Sequence, residues 1–308
     1  MFPHPRLDAL VGRARALAAG AIPAIGLAYP CDALALEAAA AIDEAGIGRP
    51  LLIGPIDAIE RAGDTCGIDL SRFEIVPTGA SPEEAARRAT ALAHEGAVQA
   101  LMKGSLHTDE LMSAVVRKDG GLRGDRRISH AFVFDLPRYP KLLAVADCVV
   151  NIAPDLRTKR DILGNAVELL QRLGIAAPKV GIVAAVETVN PAIPATVDAR
   201  ALVELAGAGG WPGAIVEGPF GFDNVISAEA ARLKKIESQV AGNADLLLMP
   251  DLNAGNMLYK SFNYIGGGDC AGLVLGARVP IVLTSRSDSL RARVASVALA
   301  VLACGPLH

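Results

Sequence analysis

A chain of 308 residues that is 52% hydrophobic, only 4% aromatic and rich in glycine, with 31, has the composition of an α/β protein with an aliphatic core and enough length for two domains. Its net charge of −3, without any block of Lys or Arg, leaves no electrostatic footprint for nucleic acid or an anionic membrane. No apolar run reaches the roughly 18 residues of a membrane span, and "MFPHPRLDAL" lacks the charged-then-apolar order of a signal peptide, so a cytoplasmic protein is expected.

From Ile22 onward short apolar runs alternate with longer helical patterns. "AIGLAY" precedes the Ala-rich "CDALALEAAAAIDEAG", and "PLLIG" precedes "PIDAIERAG". "FEIVPT" leads into "SPEEAARRATALAHEG", where Ser81, Pro82 and Glu84 spell a capping box with proline at the first helical position. "VQALMKG" then opens into "HTDELMSAVVRK". Such alternation predicts parallel strands with crossover helices.

The rhythm breaks after Gly120, where "RRISHAFVFDL" and "KLLAVAD" read as two successive strands around the turn "PRYP" and predict a change of sheet direction. A second alternating series follows, through the helix of "TKRDILGNAVELLQRLG", the strand "KVGIVAA", a helix near "TVDARALVELAG", the strand "GAIVEG", the helix of "SAEAARLKKIES", the strand "DLLLMP", a helix around "AGNMLYKSF", and the strands "GLVLG" and "PIVLT". The last helix, Leu290 to Ala303, is expected to return to the first domain. The resulting division is 1–147 plus 287–308 for the first α/β domain and 148–286 for the second. Five cysteines without C-x-x-C spacing, Cys31, Cys66, Cys148, Cys270 and Cys304, read as buried thiols, with neither zinc nor a disulfide framework.

Ligands of such sheets bind at the carboxyl ends of strands. The loops predicted there share one polar character: "MKGSLHTDE", "AAVETVNPAIP", "EGPFGFDNVIS" and "MPDLNAGNMLYK". A fifth, "TSRSDS" at 284–289, separates two very apolar segments, and a cap by Ser287 or Asp288 accounts for part of it. Capping does not account for Arg286, whose cation opposes the helix dipole unless an anion lies nearby. Neither a P-loop nor G-x-G-x-x-G after the first strand is present, and "IGGGDCAG" fits neither template. No metal-binding spacing joins His107 or His130 to a second ligand, so no metal is expected.

Taken together, "LMKGSLHTDELMSAVV", "GLRGDRRISHAFVFD", "NIAPDLRTKRDI", "AAVETVNPAIPAT", "EGPFGFDNVIS", "MPDLNAGNMLYK" and "VLGARVPIVLTSRSDSLRARVAS" resemble the phosphate acetyltransferase and phosphate butyryltransferase family from about residue 20 to the end. The resemblance is to the short bacterial members without a regulatory amino-terminal domain. It implies two three-layer α/β domains with mainly parallel sheets and an active-site cleft between them, as in isocitrate and isopropylmalate dehydrogenases, and a homodimer. It also implies reversible acyl transfer between acyl-CoA and inorganic phosphate, giving acyl phosphate (acetyl phosphate in acetate metabolism) and coenzyme A. Coenzyme A is then a substrate, with no tightly bound cofactor.

The family's Ser-Arg pair matches Ser285-Arg286. Arg286 is cast as the clamp of phosphate or oxyanion through its planar paired donors. Ser285 is cast as a hydrogen-bond donor, since no G-x-S-x-G elbow or partnered His accompanies it. The resemblance further places Ser105, His107 and Thr108 on the phosphate side, Arg126 and Arg127 on phosphate groups of acyl phosphate or coenzyme A, and Glu187, Asn190, Glu217, Asp223 and Asn256 among the substrate-binding residues.

Two departures from the family pattern stand out. The aspartate proposed as base seven residues after the Ser is here Ala292, which leaves Asp288 for that role; and Glu217-Gly218 replaces the usual Asp-Gly. Two further readings stay open at this stage: a metal-dependent decarboxylating dehydrogenase, which would need grouped aspartates, and a catalytically weakened protein that binds coenzyme A or phosphate, which Ala292 favours. Butyryl in place of acetyl is a matter of single methylenes.

Overall fold

The computed structural model describes residues 3–285 and 287–305. Its first stretch runs α1 (Pro5–Ala18), β1 (Ala24–Ala28), α2 (Ala33–Glu44), β2 (Arg49–Gly54), α3 (Ile56–Cys66), a 3₁₀ turn (Leu70–Arg72), β3 (Glu74–Pro77), α4 (Pro82–His94), β4 (Ala100–Lys103) and α5 (Thr108–Val115). It continues with β5 (Ser129–Asp135), β6 (Leu143–Ala146), α6 (Leu156–Arg172), β7 (Lys179–Val183), α7 (Pro194–Gly207), β8 (Ile215–Phe220), α8 (Phe222–Ile226), α9 (Ala228–Leu233), β9 (Leu246–Leu248) and α10 (Leu252–Tyr264). The remainder is β10 (Asp269–Leu275), β11 (Ile281–Val282) and α11 (Leu290–Ala303). The protein is a mixed α/β chain, as its alternating pattern predicts. Among the described residues no helix is long and apolar enough to cross a membrane.

Contacts divide the chain into two compact units, residues 7–128 with 270–305, and residues 3–6 with 129–269. In the first, the strands lie in the order β3-β2-β1-β4-β11-β10. Neighbours are parallel except for the β10/β11 pair, and Ile281 sits opposite Leu101. All five residues of β1 are buried, as suits a strand covered on both faces by crossover helices. Helix α11, buried along most of its length, packs against α2.

In the second unit the order is β5-β6-β9-β7-β8. The predicted reversal of sheet direction is the antiparallel pair β5/β6, with Phe132 opposite Val145; β6, β9, β7 and β8 are mutually parallel. Every residue of β5 and β6 is buried. Tyr139, in the turn between them, donates its hydroxyl to the Ala244 carbonyl at 2.7 Å.

Local signals behave as capping physics requires. Ser81 accepts the N–H of Glu84 at 3.3 Å with Pro82 in the first turn, and its hydroxyl donates to Glu83 at 2.6 Å; the expected return bond from the Ser81 N–H to the Glu84 carboxylate is not formed among the described residues, so the cap is one-sided. The helix read across "SAEAARLKKIES" ends at Leu233, because Lys235 adopts a left-handed backbone with φ of 56°. The short α8, inside a stretch read as loop, is capped from Gly221. The cysteines are thiols, but only Cys148 and Cys270 are buried; Cys304 is exposed, and Cys31 and Cys66 are intermediate. Cys304 is the C-cap residue just past the buried last turn of α11, where the chain emerges to solvent.

Candidate active site

Parallel neighbours end on the same edge of a sheet, so in the first unit β1, β4 and β11 deliver three loops side by side. The loop after β4 is tied to the loop after β1. Ser105 donates both its N–H and its hydroxyl to the Tyr29 carbonyl, each at 2.9 Å, and its hydroxyl accepts the N–H of Cys31 at 3.2 Å. Gly104 permits this approach: a Cβ there would lie 2.5 Å from the carbonyl oxygens of both Ala28 and Tyr29. Tyr29 itself takes a left-handed φ of 56°, a strained choice for an aromatic residue that the paired loops hold in place. Burial pushes the Cys31 thiol up to about 11. His107 is the N-cap residue of α5, and its N–H donates to the Glu110 carboxylate at 2.5 Å. The side chains of His107 and Thr108 are exposed beside this frame.

The loop after β11 carries the Ser285 segment. Ser289 is the N-cap of α11, with extended φ and ψ and its hydroxyl accepting the Ala292 N–H at 3.0 Å. This corrects the expectation of a cap at Ser287 or Asp288, which lie too early to reach the third N–H of the helix. Asp288 instead accepts the Ser285 N–H at 2.7 Å, folding the segment into a tight turn. The hydroxyls of Ser285 and Ser287 stand 3.0 Å apart on its exposed side. Arg286 lies outside the described residues. Ala292 is buried.

Beneath this turn sits Arg293, a residue the sequence reading passed over. It is only 5% exposed, and its guanidinium donates to the Thr284 hydroxyl at 3.2 Å, the Ser285 carbonyl at 2.7 Å and the Asp288 carbonyl at 3.4 Å. Among the described residues it has no carboxylate partner, so a buried cation lies directly under the segment. Burying such a charge costs several kcal/mol, roughly, which these oxygens and any anion above them offset. A signal was available: helical side chains lean toward the amino end, so an Arg at the fourth position of an otherwise largely apolar helix reaches back over its own cap.

In the second unit, β6, β9, β7 and β8 likewise end on one edge. Glu187 and Asp223 converge on Lys234, whose Nζ is 3.5 Å from the first and 3.2 Å from the second, and Asn224 donates to Glu187 at 3.4 Å. The hydrogen bond from Lys234 holds the Asp223 carboxyl below its ordinary range, and Asp223 raises the Lys234 ammonium in return. Asn224 is fully buried with its Oδ1 unpartnered. Asn256 donates to the Cys148 carbonyl at 3.2 Å, fastening α10 to the loop after β6.

Other predicted residues have local structural partners. Asn190 shapes its own turn, accepting the Ala192 N–H at 2.9 Å while its N–H donates to Thr196 at 2.8 Å. Glu217 accepts the Ser238 hydroxyl and, at 3.2 Å, the Gln239 N–H. Arg126 and Arg127 are exposed in the segment leading into β5. The structure therefore gathers Ser105, Ser285 and Asp288 on the edge of one unit, with His107 and Thr108, and Glu187, Asp223 and Asn224 in another cluster.

What this arrangement can do follows from its donors. The exposed hydroxyls of Ser285 and Ser287, over a buried guanidinium and at the amino end of α11, form a candidate anion cradle, while the N–H groups of Ser285, Ser287 and Asp288 are spent within the turn. Comparison with known proteins points the same way. Residues 81–301 match the family described as phosphate acetyl/butaryl transferase. The chain is 49% identical over 298 residues to a phosphate acetyltransferase of Rhizobium meliloti, covering 96% of this chain and 93% of that protein. It is 36% identical over 281 residues to a phosphate butyryltransferase of Clostridium acetobutylicum, covering 91% and 93%. The crystal structure of a branched-chain phosphotransacylase from Enterococcus faecalis superposes with a TM-score of 0.81 at 27% identity, covering 92% of this chain and 99% of that one. With more than two thirds of its length matched by the family, and near-complete overlap with relatives of close to half identity, this chain belongs to the phosphate acetyl/butyryl transferase family.

Proposed function

We propose that the protein is a phosphate acetyltransferase, transferring an acetyl group reversibly between coenzyme A and inorganic phosphate. The observation that carries this is the 49% identity to a phosphate acetyltransferase over 96% of the chain. The exposed Ser285 and Ser287 hydroxyls over the buried Arg293 guanidinium also support it. In this reading the thiolate of coenzyme A attacks the carbonyl carbon of acetyl phosphate, the carbonyl electrons collapse onto oxygen, and phosphate then leaves as the carbonyl reforms. Ser285 donates to the developing oxyanion. Arg286 clamps the phosphate through paired donors, and Asp288 takes the thiol proton. Ser105, His107 and Thr108 border the phosphate side, and Arg126, Arg127, Glu187, Asn190, Glu217, Asp223 and Asn256 contact the substrates. The ligands are acyl-CoA, inorganic phosphate and acyl phosphate, with no tightly bound cofactor, and the protein acts as a cytoplasmic homodimer.

The butyryltransferase relative at 36% identity supports a second reading with the same chemistry and a longer acyl chain. Coenzyme A release should be followed with acetyl-, propionyl- and butyryl-CoA, with and without phosphate and chelator. The expected result is phosphate-dependent, chelator-resistant turnover with the highest kcat/KM for acetyl. A pocket discriminates single methylenes by only about 1–3 kcal/mol each, so a butyryl optimum would move the assignment to the second reading. Absence of phosphate-dependent release with all three would overturn both.

A further inference from the structure

At the opposite ends of the same strands the first unit holds a second concentration of positive charge. Helix α4 ends at His94 just before β4 begins, and Arg278 stands just before β11, so both mark the amino ends of strands whose carboxyl ends carry Ser105 and Ser285. Together with Arg117, Lys118, Arg123 and Asp125 they line a cavity of about 440 Å³. That size falls within the range of roughly 300–1,000 Å³ usual for small-molecule sites.

The frame of this cavity is fixed by backbone. Leu122 N–H donates to Val115 O at 2.8 Å, Arg278 N–H to Leu122 O at 2.8 Å and Gly124 N–H to Gly276 O at 3.2 Å, so the turn after α5 is stitched to the turn before β11. Gly121 is required where it stands, because a Cβ would lie 2.1 Å from the Arg117 carbonyl oxygen. Four cations are thus displayed on a rigid double turn. Among the described residues none of them forms an ion pair, and the single carboxylate on the wall, Asp125, leaves three positive charges in excess. His94 Nδ1 lies 3.1 Å from the Gly121 carbonyl and 3.3 Å from Arg278 Nη1, and one nitrogen cannot both donate to the first and accept from the second. If it donates to Gly121, that Arg278 donor faces the cavity without an acceptor.

We propose that this cavity binds an oligophosphate, a chain of two or three phosphoryl groups, at a place separate from the Ser285 cradle. Guanidinium groups match phosphate oxygens with paired donors, and a ligand of three or more negative charges neutralises the excess that a single carboxylate or monophosphate would leave. A concave cavity in a chain of net charge −3 suits a compact anion and not a nucleic-acid track. Helix α5 runs from Thr108, beside the Ser105 loop, to Val115, two residues before Arg117, and so connects the two places directly.

The test is titration calorimetry with inorganic tripolyphosphate and, separately, cytidine triphosphate, which tells a free oligophosphate from a nucleotide. The proteins are the full chain, Arg123→Gln/Arg278→Gln, Lys118→Glu and, as a probe of the other cradle, Arg286→Gln. We expect tripolyphosphate binding that weakens with added salt, falls by about tenfold or more in the double variant once two guanidinium contacts are lost, and changes by less than about twofold in Arg286→Gln. Lys118→Glu, a single exposed change, should weaken binding too and covers the case in which the double variant misfolds. No binding to the full chain, equal binding in the double variant, or an equal loss in Arg286→Gln would each overturn the proposal.

Discussion

Arg293, from the second turn of α11, donates to the carbonyl of Ser285 at 2.7 Å, so the exposed serine is positioned by a buried cation eight residues further along the chain. The same guanidinium reaches Thr284 and Asp288, and it therefore fixes the whole turn. Arg293→Met should destabilise the protein by about 1–3 kcal/mol for each acceptor left buried and unpaired. Arg293→Lys retains charge but loses the fork, so kcat should fall while the KM for phosphate changes little. Denaturant unfolding combined with kcat and KM measurements checks this; equal stability and turnover in both variants would remove Arg293 from the site.

Ser285→Ala should lower kcat by roughly 10- to 1000-fold, the range for one lost oxyanion donor. Mass spectrometry of the enzyme stopped during turnover should show no acyl adduct. An acyl group trapped on Ser285 would make it the nucleophile.

Arg286→Lys should be severely impaired despite keeping its charge, because an ammonium cannot present two donors in one plane. The loss should appear in turnover and in the KM for phosphate. Near-normal values for both would show that the clamp lies elsewhere.

Asp288 is bonded to the Ser285 N–H, and Asn can accept that bond equally well, so Asp288→Asn isolates the proton-transfer role from the structural one. With Asp288 as base, kcat should drop strongly at pH 7 and recover in part as pH rises toward the ordinary thiol pKa of about 8.5. A flat profile at near-normal turnover would pass the role to Glu187, Glu217 or the phosphate itself.

His130 gives a prediction about stability. It is fully enclosed with Nδ1 unpartnered, and burial pushes its pKa down to about 4, against the opposing pull of Asp147. Between the ordinary value of about 6.5 and this lowered one, the unfolded chain binds a proton that the folded chain does not. The contribution is therefore complete above about pH 6.5 and is lost as pH falls toward 4. Denaturant midpoints taken from pH 7 to 5 should decline in the wild type and decline less in His130→Phe, which retains the contact with the Phe132 ring at 4.4 Å. Identical slopes would mean that other groups set the acid limit.

The sequence by itself determined the alternating α/β pattern, the reversal at 129–146, the bounds of α11 and the family, because hydrophobic period, turn residues and ordered loop motifs are local along the chain. It also marked Ser285 as lying between a strand and a helix. Tertiary structure alone decided what each polar residue does there. Glu217 and Asn190 look alike in the sequence with the site candidates, yet Asn190 closes its own turn and Glu217, within β8, ties that strand to Ser238 and Gln239, while Asp288 turns inward to Ser285 and Ser289 takes the cap. Strand order put β11 beside β4, bringing together loops about 180 residues apart and, at the other ends, His94 and Arg278. The physical reason is range. Capping and periodicity act over one turn of helix or one strand, whereas the burial of Arg293 and the meeting of distant loops depend on which strands pair, a choice made by the packing of the whole unit.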